Sequence, residues 1–317
     1  MDFVERDGRP THALNGANIE VRHGEVLGVL GESGSGKSTI AKAALRLVAK
    51  TAQIMGGTIE FEDRNLLELE ERDMAKLRGA RIAMVPQDPG LALNPVMKAG
   101  DQIAEVIRAH RGWNWKRCRD EAVAFLERVH LSAQGREMYD RYPHQLSGGQ
   151  QQRVVIAQAL ACRPSLVIAD EPTASLDSDT EKEILRLFAE LTAERKMSLL
   201  LITHDPRILR DLADRVVVMY AGRVVEEGLV EQILREPRHP YTRALLACAP
   251  AGFEEPRLKA GMRLPSIEGS PPSPEFVPVG CSFAPRCAQR REMCEIRPPA
   301  PVETEATRRV ECFLYGG

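Results

Sequence analysis

Gly31-Glu32-Ser33-Gly34-Ser35-Gly36-Lys37-Ser38-Thr39 follows the apolar run Val26–Leu30 and leads into a helically spaced stretch, Lys37–Val48. Strand, glycine-rich turn and helix in that order fit the pattern G-x-x-x-x-G-K-[ST]. The glycines let successive backbone N–H groups turn inward and form a nest for phosphate oxygens. The helix that follows adds the positive end of its dipole. Lys37 offers a point charge suited to β- and γ-phosphates, and the Ser38 hydroxyl suits Mg²⁺. The stretch therefore predicts a nucleoside triphosphate site on an α/β scaffold.

Outward from this loop, residues 20–235 alternate short apolar runs with helical stretches, as in an α/β domain with a largely parallel sheet. Further strands are predicted at Gly57–Phe61, Arg81–Val85, Leu166–Ala169, Ser198–Thr203 and Arg215–Tyr220, with a charged helix around Leu69–Leu77. Between about 98 and 160 helical periodicity takes over, as in Gly100–His110 and Trp115–Val129, which predicts an inserted helical subdomain. After about 236 the periodic patterns lapse, and eleven of the 21 prolines fall between Pro250 and Pro301. That composition predicts a loop-rich extension, 236–317, short of a core of its own, appended to a main domain at 1–235. No internal repeat is present, so one unit is expected rather than a tandem pair.

A composition of 43% hydrophobic and 28% charged residues supports a sizeable core. The net charge of -2 argues against a nucleic-acid partner, whose binding needs clustered Lys and Arg. The charged start, Met1-Asp2-Phe3-Val4-Glu5-Arg6-Asp7, lacks the apolar centre of a signal peptide. No run approaches the ~18 apolar residues of a membrane helix. A cytoplasmic chain is expected, with any membrane role reached through a partner. Seven cysteines without a secretion signal do not read as a disulfide framework.

Leu166-Val167-Ile168-Ala169-Asp170-Glu171 is an apolar strand ending in two acids. Downstream of a phosphate loop, Asp170 suits a Mg²⁺ ligand and Glu171 a general base that polarises water. These two motifs define only a broad NTPase class. Leu146-Ser147-Gly148-Gly149-Gln150, followed by Gln151-Gln152-Arg153, narrows it, because this pentapeptide resembles the signature motif of ABC ATPases.

The resemblance implies a P-loop NTPase ABC cassette, with a RecA-like core and an inserted helical subdomain, acting as an ATPase. Gln87 resembles the Q-loop glutamine that contacts Mg²⁺ and the attacking water, Ser175-Leu176-Asp177 the D-loop, and His204 the switch histidine of the γ-phosphate. Phe3, ten residues before Ala13, lies where the family stacks an aromatic on adenine. Family members usually open with an extra strand before that position, which points to a truncated or misassigned start. In this family Ser147, Gly148, Gly149 and Gln150 serve the ATP held by a second cassette, so two subunits close head to tail over two ATP molecules.

Gln87-Asp88-Pro89, Leu93-Asn94-Pro95 and Gly100-Asp101-Gln102-Ile103 resemble the Q-loop region of dipeptide and oligopeptide importer ATPases. Tyr142-Pro143-His144-Gln145 resembles their approach to the signature. His239-Pro240-Tyr241-Thr242-Arg243-Ala244-Leu245-Leu246 and Gly280-Cys281-Ser282-Phe283-Ala284-Pro285-Arg286-Cys287 resemble their C-terminal extension. The resemblance implies peptide uptake at the cytoplasmic face of the cell membrane. The partners it implies are two permeases, an extracytoplasmic solute-binding protein and a second, different ATPase subunit. Import of nickel or another small solute is the nearest alternative. A non-transport ABC ATPase would be expected to carry a coiled-coil insertion or second cassette, and a regulatory ATP-holding module to lack Lys37 or Glu171.

Cys281, Cys287, Cys294 and Cys312 have the spacing C-x5-C-x6-C-x17-C in a Pro-rich segment. Such segments are often held by ligation rather than burial. Four thiolates suit an iron–sulfur cluster or a structural Zn²⁺. Zinc sites usually include a C-x₂₋₄-C pair, and none is present. The resemblance to importers with a [4Fe–4S] cluster favours iron, and four reduced thiols remain the alternative.

Overall fold

The structure is a computed structural model that describes residues 1–4, 10–49, 51–131, 135–193, 197–249 and 266–316. The chain forms two compact units, Met1–Glu20 with Leu27–Leu67 and Ile202–Gly317, and Val21–Val26 with Glu68–Leu201.

In the first unit the strand Val26–Leu30 is buried at every position, which explains its unbroken apolar sequence. Each large side chain removed from water there contributes about 1.5–3 kcal/mol. Arg215–Tyr220 lies parallel to it, with Arg215 opposite Leu27 and Val218 opposite Leu30. Arg223–Leu229 then returns antiparallel. The turn between them places Ala221 at φ 48° and Gly222 at φ 77°, the left-handed pair that a two-residue hairpin demands. This strand is absent from the sequence reading because Ala-Gly is a weak turn signal and Glu226-Glu227 breaks the apolar run.

The helix after the phosphate loop spans Lys37–Ala44, shorter than the predicted Lys37–Val48. Arg46, at φ 51°, takes the chain out of helical geometry. The predicted strand Gly57–Phe61 is reduced to Glu60–Phe61, paired with Arg64–Asn65 across Glu62 and Asp63 at φ 50° and 60°. A separate antiparallel sheet joins Asp2–Val4 to Pro10–His12 and to Ala52–Gln53, with Phe3 opposite both Thr11 and Ala52.

The C-terminal extension is more ordered than its composition suggested. Arg308–Val310 adds to Arg223–Leu229, and Val302–Glu305 forms the next strand. Phe283, Ala284, Val310 and Phe313 are buried. Arg308 and Glu226 form an almost fully buried ion pair at 3.0 Å. The same Glu226 carboxylate accepts from the backbone N–H groups of Arg238 and His239, so it anchors the start of the extension to the sheet. Removing one partner of such a pair would strand a buried charge.

In the second unit Ile82–Val85 lies parallel to Leu166–Asp170, with Ile82 opposite Leu166 and Val85 opposite Ala169. Three helices, Ala99–Arg111, Trp115–Arg128 and Gly148–Leu160, pack through buried faces that include Ile103, Ile107, Ala122, Phe125, Val154 and Ile156. Gly112 closes the first in the left-handed conformation, and the Asn114 side chain caps the second by accepting from the Arg117 N–H.

Candidate functional site

The phosphate loop lies in the first unit. A Cβ at Gly31 would stand 2.4 Å from the Met219 carbonyl, and one at Gly36 would stand 2.7 Å from the Ala13 carbonyl. Gly36 also sits at φ 101°, so side chains are excluded there on two grounds. Lys37 is buried, its ammonium donating to the carbonyls of Gly31 at 2.7 Å and Glu32 at 2.9 Å. The charge is thus folded back over the loop. No side chain caps the helix Lys37–Ala44. The Ser35 hydroxyl is buried and has no hydrogen-bond partner. A backbone cradle, a buried ammonium and an orphaned hydroxyl fit a phosphate-bearing ligand.

The extension reaches this loop. The Tyr241 hydroxyl accepts from the Glu32 N–H at 2.9 Å, and the Arg286 guanidinium pairs with the Glu32 carboxylate at 2.9 Å. Beside them opens a cavity of ≈ 130 Å³, bordered by Asn15, Ser33 and Ser35 and by Pro271, Pro274 and Phe276 of the extension. Phe3 lies mid-strand in the same unit. His204 follows the strand Ser198–Thr203 and is exposed. Asp205, next to it, caps the helix Pro206–Leu212 by accepting from the Arg207 N–H.

In the second unit Asp170 is buried at the end of its strand, and Glu171 follows at φ 46°. A left-handed glutamate is uncommon, and such strain clusters at functional sites. The Gln87 amide donates to the Glu171 carboxylate at 3.3 Å. The carboxyl ends of two adjacent parallel strands thus present an amide and two acids together. Gln102 fixes the Q-loop region, its side chain binding both the N–H and carbonyl of Asn94 and the carbonyl of Met97. Leu91 and Val96, within that region, are 88% and 79% exposed.

Ser147 caps the helix Gly148–Leu160 in a reciprocal box. Its hydroxyl accepts from the Gln150 N–H, and its own N–H donates to the Gln150 side chain. A Cβ at Gly149 would meet Thr180 at 2.3 Å. Leu176 lies beside Gly148, so the signature and the Ser175-Leu176-Asp177 segment adjoin. The Asp177 carboxylate caps the helix Ser178–Ala193, and the Thr180 amide and hydroxyl hold it below the usual carboxylate range.

All four C-terminal cysteines border one cavity of ≈ 20 Å³, together with His239, Phe283 and Phe313. Burial pushes the Cys281 thiol up to about 11 and raises those of Cys287 and Cys312. Among the described residues no group of three or more His, Cys, Asp or Glu side chains has the arrangement of a metal site. The thiols are gathered without converging to ligating geometry, which differs from the expectation of a formed metal centre. All seven cysteines are free.

Local spacing gave no role to Arg286, Tyr241 or Gln102. The first two meet Glu32 across 254 and 209 residues, a separation that no window of sequence exposes.

A family model described as ABC transporter matches residues 14–174, and one described as oligopeptide/dipeptide transporter, C-terminal region, matches residues 225–294. The oligopeptide transport ATP-binding protein AppD of Bacillus subtilis is 41% identical, over 99% of this chain and 94% of its own. The dipeptide transport ATP-binding protein DppD of Haemophilus influenzae is 42% identical, over 96% and 90%. A bacterial ABC transporter cassette solved as a dimer superposes with a TM-score of 0.64 at 29% identity, covering 72% of this chain and 95% of that one. The chain therefore belongs to the ABC transporter family, within its group of oligopeptide and dipeptide transport ATP-binding proteins.

Proposed function

We propose that the chain is the ATP-hydrolysing subunit of a peptide importer, working at the cytoplasmic face of the cell membrane. The observation that carries this reading is the contact between two parts of the chain. Tyr241 and Arg286, both inside the segment that matches the peptide-transporter C-terminal region, hold Glu32 of the phosphate loop. None of the described helices is long and apolar enough to cross a membrane, so the path for solute belongs to partners. Those partners are two permeases and a second, different ATPase subunit, with an extracytoplasmic binding protein delivering the peptide. The exposed Leu91 and Val96 offer an apolar contact to a permease.

In this reading Gly31–Thr39 holds the phosphates of ATP, with Lys37 on the β- and γ-phosphates and Phe3 against adenine. Ser38, Gln87 and Asp170 hold Mg²⁺, which neutralises phosphate charge when bound. Glu171 accepts the proton of the attacking water, Gln87 orients that carboxylate, and His204 contacts the γ-phosphate. The signature segment, with Ser147 and Gly148 exposed and Gly149 and Gln150 half-buried, serves ATP on the second subunit, and Ser175, Leu176 and Asp177 back it. The four gathered cysteines have the donor chemistry for a [4Fe–4S] cluster, with Zn²⁺ as the alternative, in a structural role.

The test is reconstitution with the permeases in proteoliposomes. Peptide-loaded binding protein should stimulate ATP hydrolysis, and labelled peptide should accumulate only with ATP. Stimulation by a nickel-loaded binding protein and not by peptide would reassign the cargo. Hydrolysis indifferent to every solute would remove the transport reading.

A further inference from the structure

Glu32 is an acidic residue inside a loop built to receive anions. Left unpaired, its carboxylate would repel the phosphates that the loop's amides and Lys37 attract. Each of its polar groups is held. The N–H donates to the Tyr241 hydroxyl, the carbonyl accepts from the Lys37 ammonium, and the carboxylate takes both ends of the Arg286 fork, at 2.9 and 3.2 Å. Two of these three restraints come from the extension rather than from the loop.

Arg286 is itself tightly held. Its side chain is 4% exposed. Beyond the two bonds to Glu32, Nη1 donates to the Tyr220 hydroxyl, Nη2 to the Ile267 carbonyl and Nε to the Glu268 carbonyl. All five guanidinium donors are therefore used. Phe283, three residues earlier, packs edge-on against Tyr220 and Tyr241, which fixes the platform below the guanidinium. A bidentate, buried fork of this kind sets geometry as well as charge. The extension also touches the rim of the loop's cavity at a second place, where the His12 N–H donates to the Pro274 carbonyl at 2.7 Å.

We propose that Arg286 is a positioning residue for nucleotide binding, cancelling the Glu32 charge and fixing the loop, so that the C-terminal extension completes the nucleotide site. The inference rests on the reading of Gly31–Thr39 as that site. It gives the extension a function in the cassette itself, separate from any contact with a permease.

The experiment titrates the purified full-length chain with a fluorescent ATP analogue and the matching ADP analogue. Arg286→Gln should weaken ATP binding about tenfold and ADP binding less, because the repulsion grows with phosphate charge. The loss should shrink as salt is raised. Adding Glu32→Gln to Arg286→Gln should return ATP affinity to within about threefold of wild type, which a merely structural role would not do. Equal losses for ATP and ADP, insensitive to salt and not rescued in the double variant, would overturn the proposal. If Arg286→Gln does not fold, the double variant, which buries no lone charge, decides. ATP affinity near wild type supports the proposal, and failure to fold or to bind overturns it. Lys37→Ala separates the two readings. If it binds ATP normally, the loop is not the site. If it loses ATP while Arg286→Gln does not, the loop reading stands and the role of Arg286 falls.

Discussion

The Gln87 side-chain amide donates to the Glu171 carboxylate at 3.3 Å, linking the segments that follow two adjacent parallel strands. Glu171 is held there at φ 46°, a conformation a glutamate does not adopt without cause. Glu171→Gln keeps size and hydrogen bonding and removes the proton acceptor. Turnover should fall by roughly 10²–10⁴-fold in the assembled transporter while ATP still binds. Separate measurements of nucleotide binding and phosphate release decide it. Hydrolysis near the wild-type rate would remove Glu171 as the base.

The signature serine caps a helix, and substitution can separate that role from the one proposed for it at a partner's ATP. Its hydroxyl caps the helix Gly148–Leu160, a contact worth about 0.5–2 kcal/mol. Ser147→Asn keeps a capping side chain, whereas Ser147→Arg adds bulk and charge at an exposed helix start. The arginine variant should block hydrolysis in the assembled pair and leave nucleotide binding to the isolated chain intact. Loss of binding in the isolated chain would contradict a site shared between subunits.

The residues legible in sequence are those whose chemistry is local. Each stretch fits within nine residues: Gly31–Thr39 was legible from its spacing, Asp170-Glu171 from its place downstream of that loop, and Ser147–Gln150 from its resemblance to a known motif. Buried strands such as Ser198–Thr203 were equally plain, because burial on both faces writes a continuous apolar run. The two strands of the extension were hidden for the opposite reason. Val302–Glu305 alternates half-buried and exposed positions, and Arg308–Val310 buries an arginine against Glu226. Neither strand has an apolar signature: Arg308–Val310 is made a strand by Arg223–Leu229, some 80 residues away, and Val302–Glu305 forms only by pairing with Arg308–Val310. The Arg286–Glu32 pair was hidden likewise. Both residues sat inside recognised motifs, yet only the fold brings them together.

His239 joins this extension to pH. It is fully buried, its Nδ1 accepts from the Tyr241 N–H at 3.0 Å, and burial pushes its pKa down to about 3. An unfolded histidine titrates near ~6.5. Above that pH the ring is neutral in both states and contributes no pH dependence. As pH falls from about 6.5 toward 3, only the unfolded chain takes the proton, so stability drops by up to about 1.4 kcal/mol per pH unit. Below about 3 the native ring protonates too and the loss levels off. Between about pH 7 and 5 the thermal midpoint of wild type should fall more steeply than that of His239→Asn, whose lost ring contacts lower stability equally at every pH while the titration is gone. Equal slopes would mean that the native ring takes up a proton as readily as the unfolded one.

The cysteine cavity makes the last prediction. Cys281, Cys287, Cys294 and Cys312 border one space of ≈ 20 Å³, and four thiolates have the donor chemistry for an iron–sulfur cluster or zinc. Burial raises three of these thiols, so protons compete with any metal, and loading should fall as pH falls. Chain purified without oxygen should be brown and carry about four irons, with sulfide in equal amount. Changing Cys287 to Ser should lower the iron content and loosen the extension, read as faster proteolysis after Arg235, the end of the preceding helix. Stoichiometric zinc without iron would keep the ligands and change the cofactor. Absence of both metals, with the extension equally protected when all four cysteines are serine, would leave the thiols as half-buried side chains and nothing more.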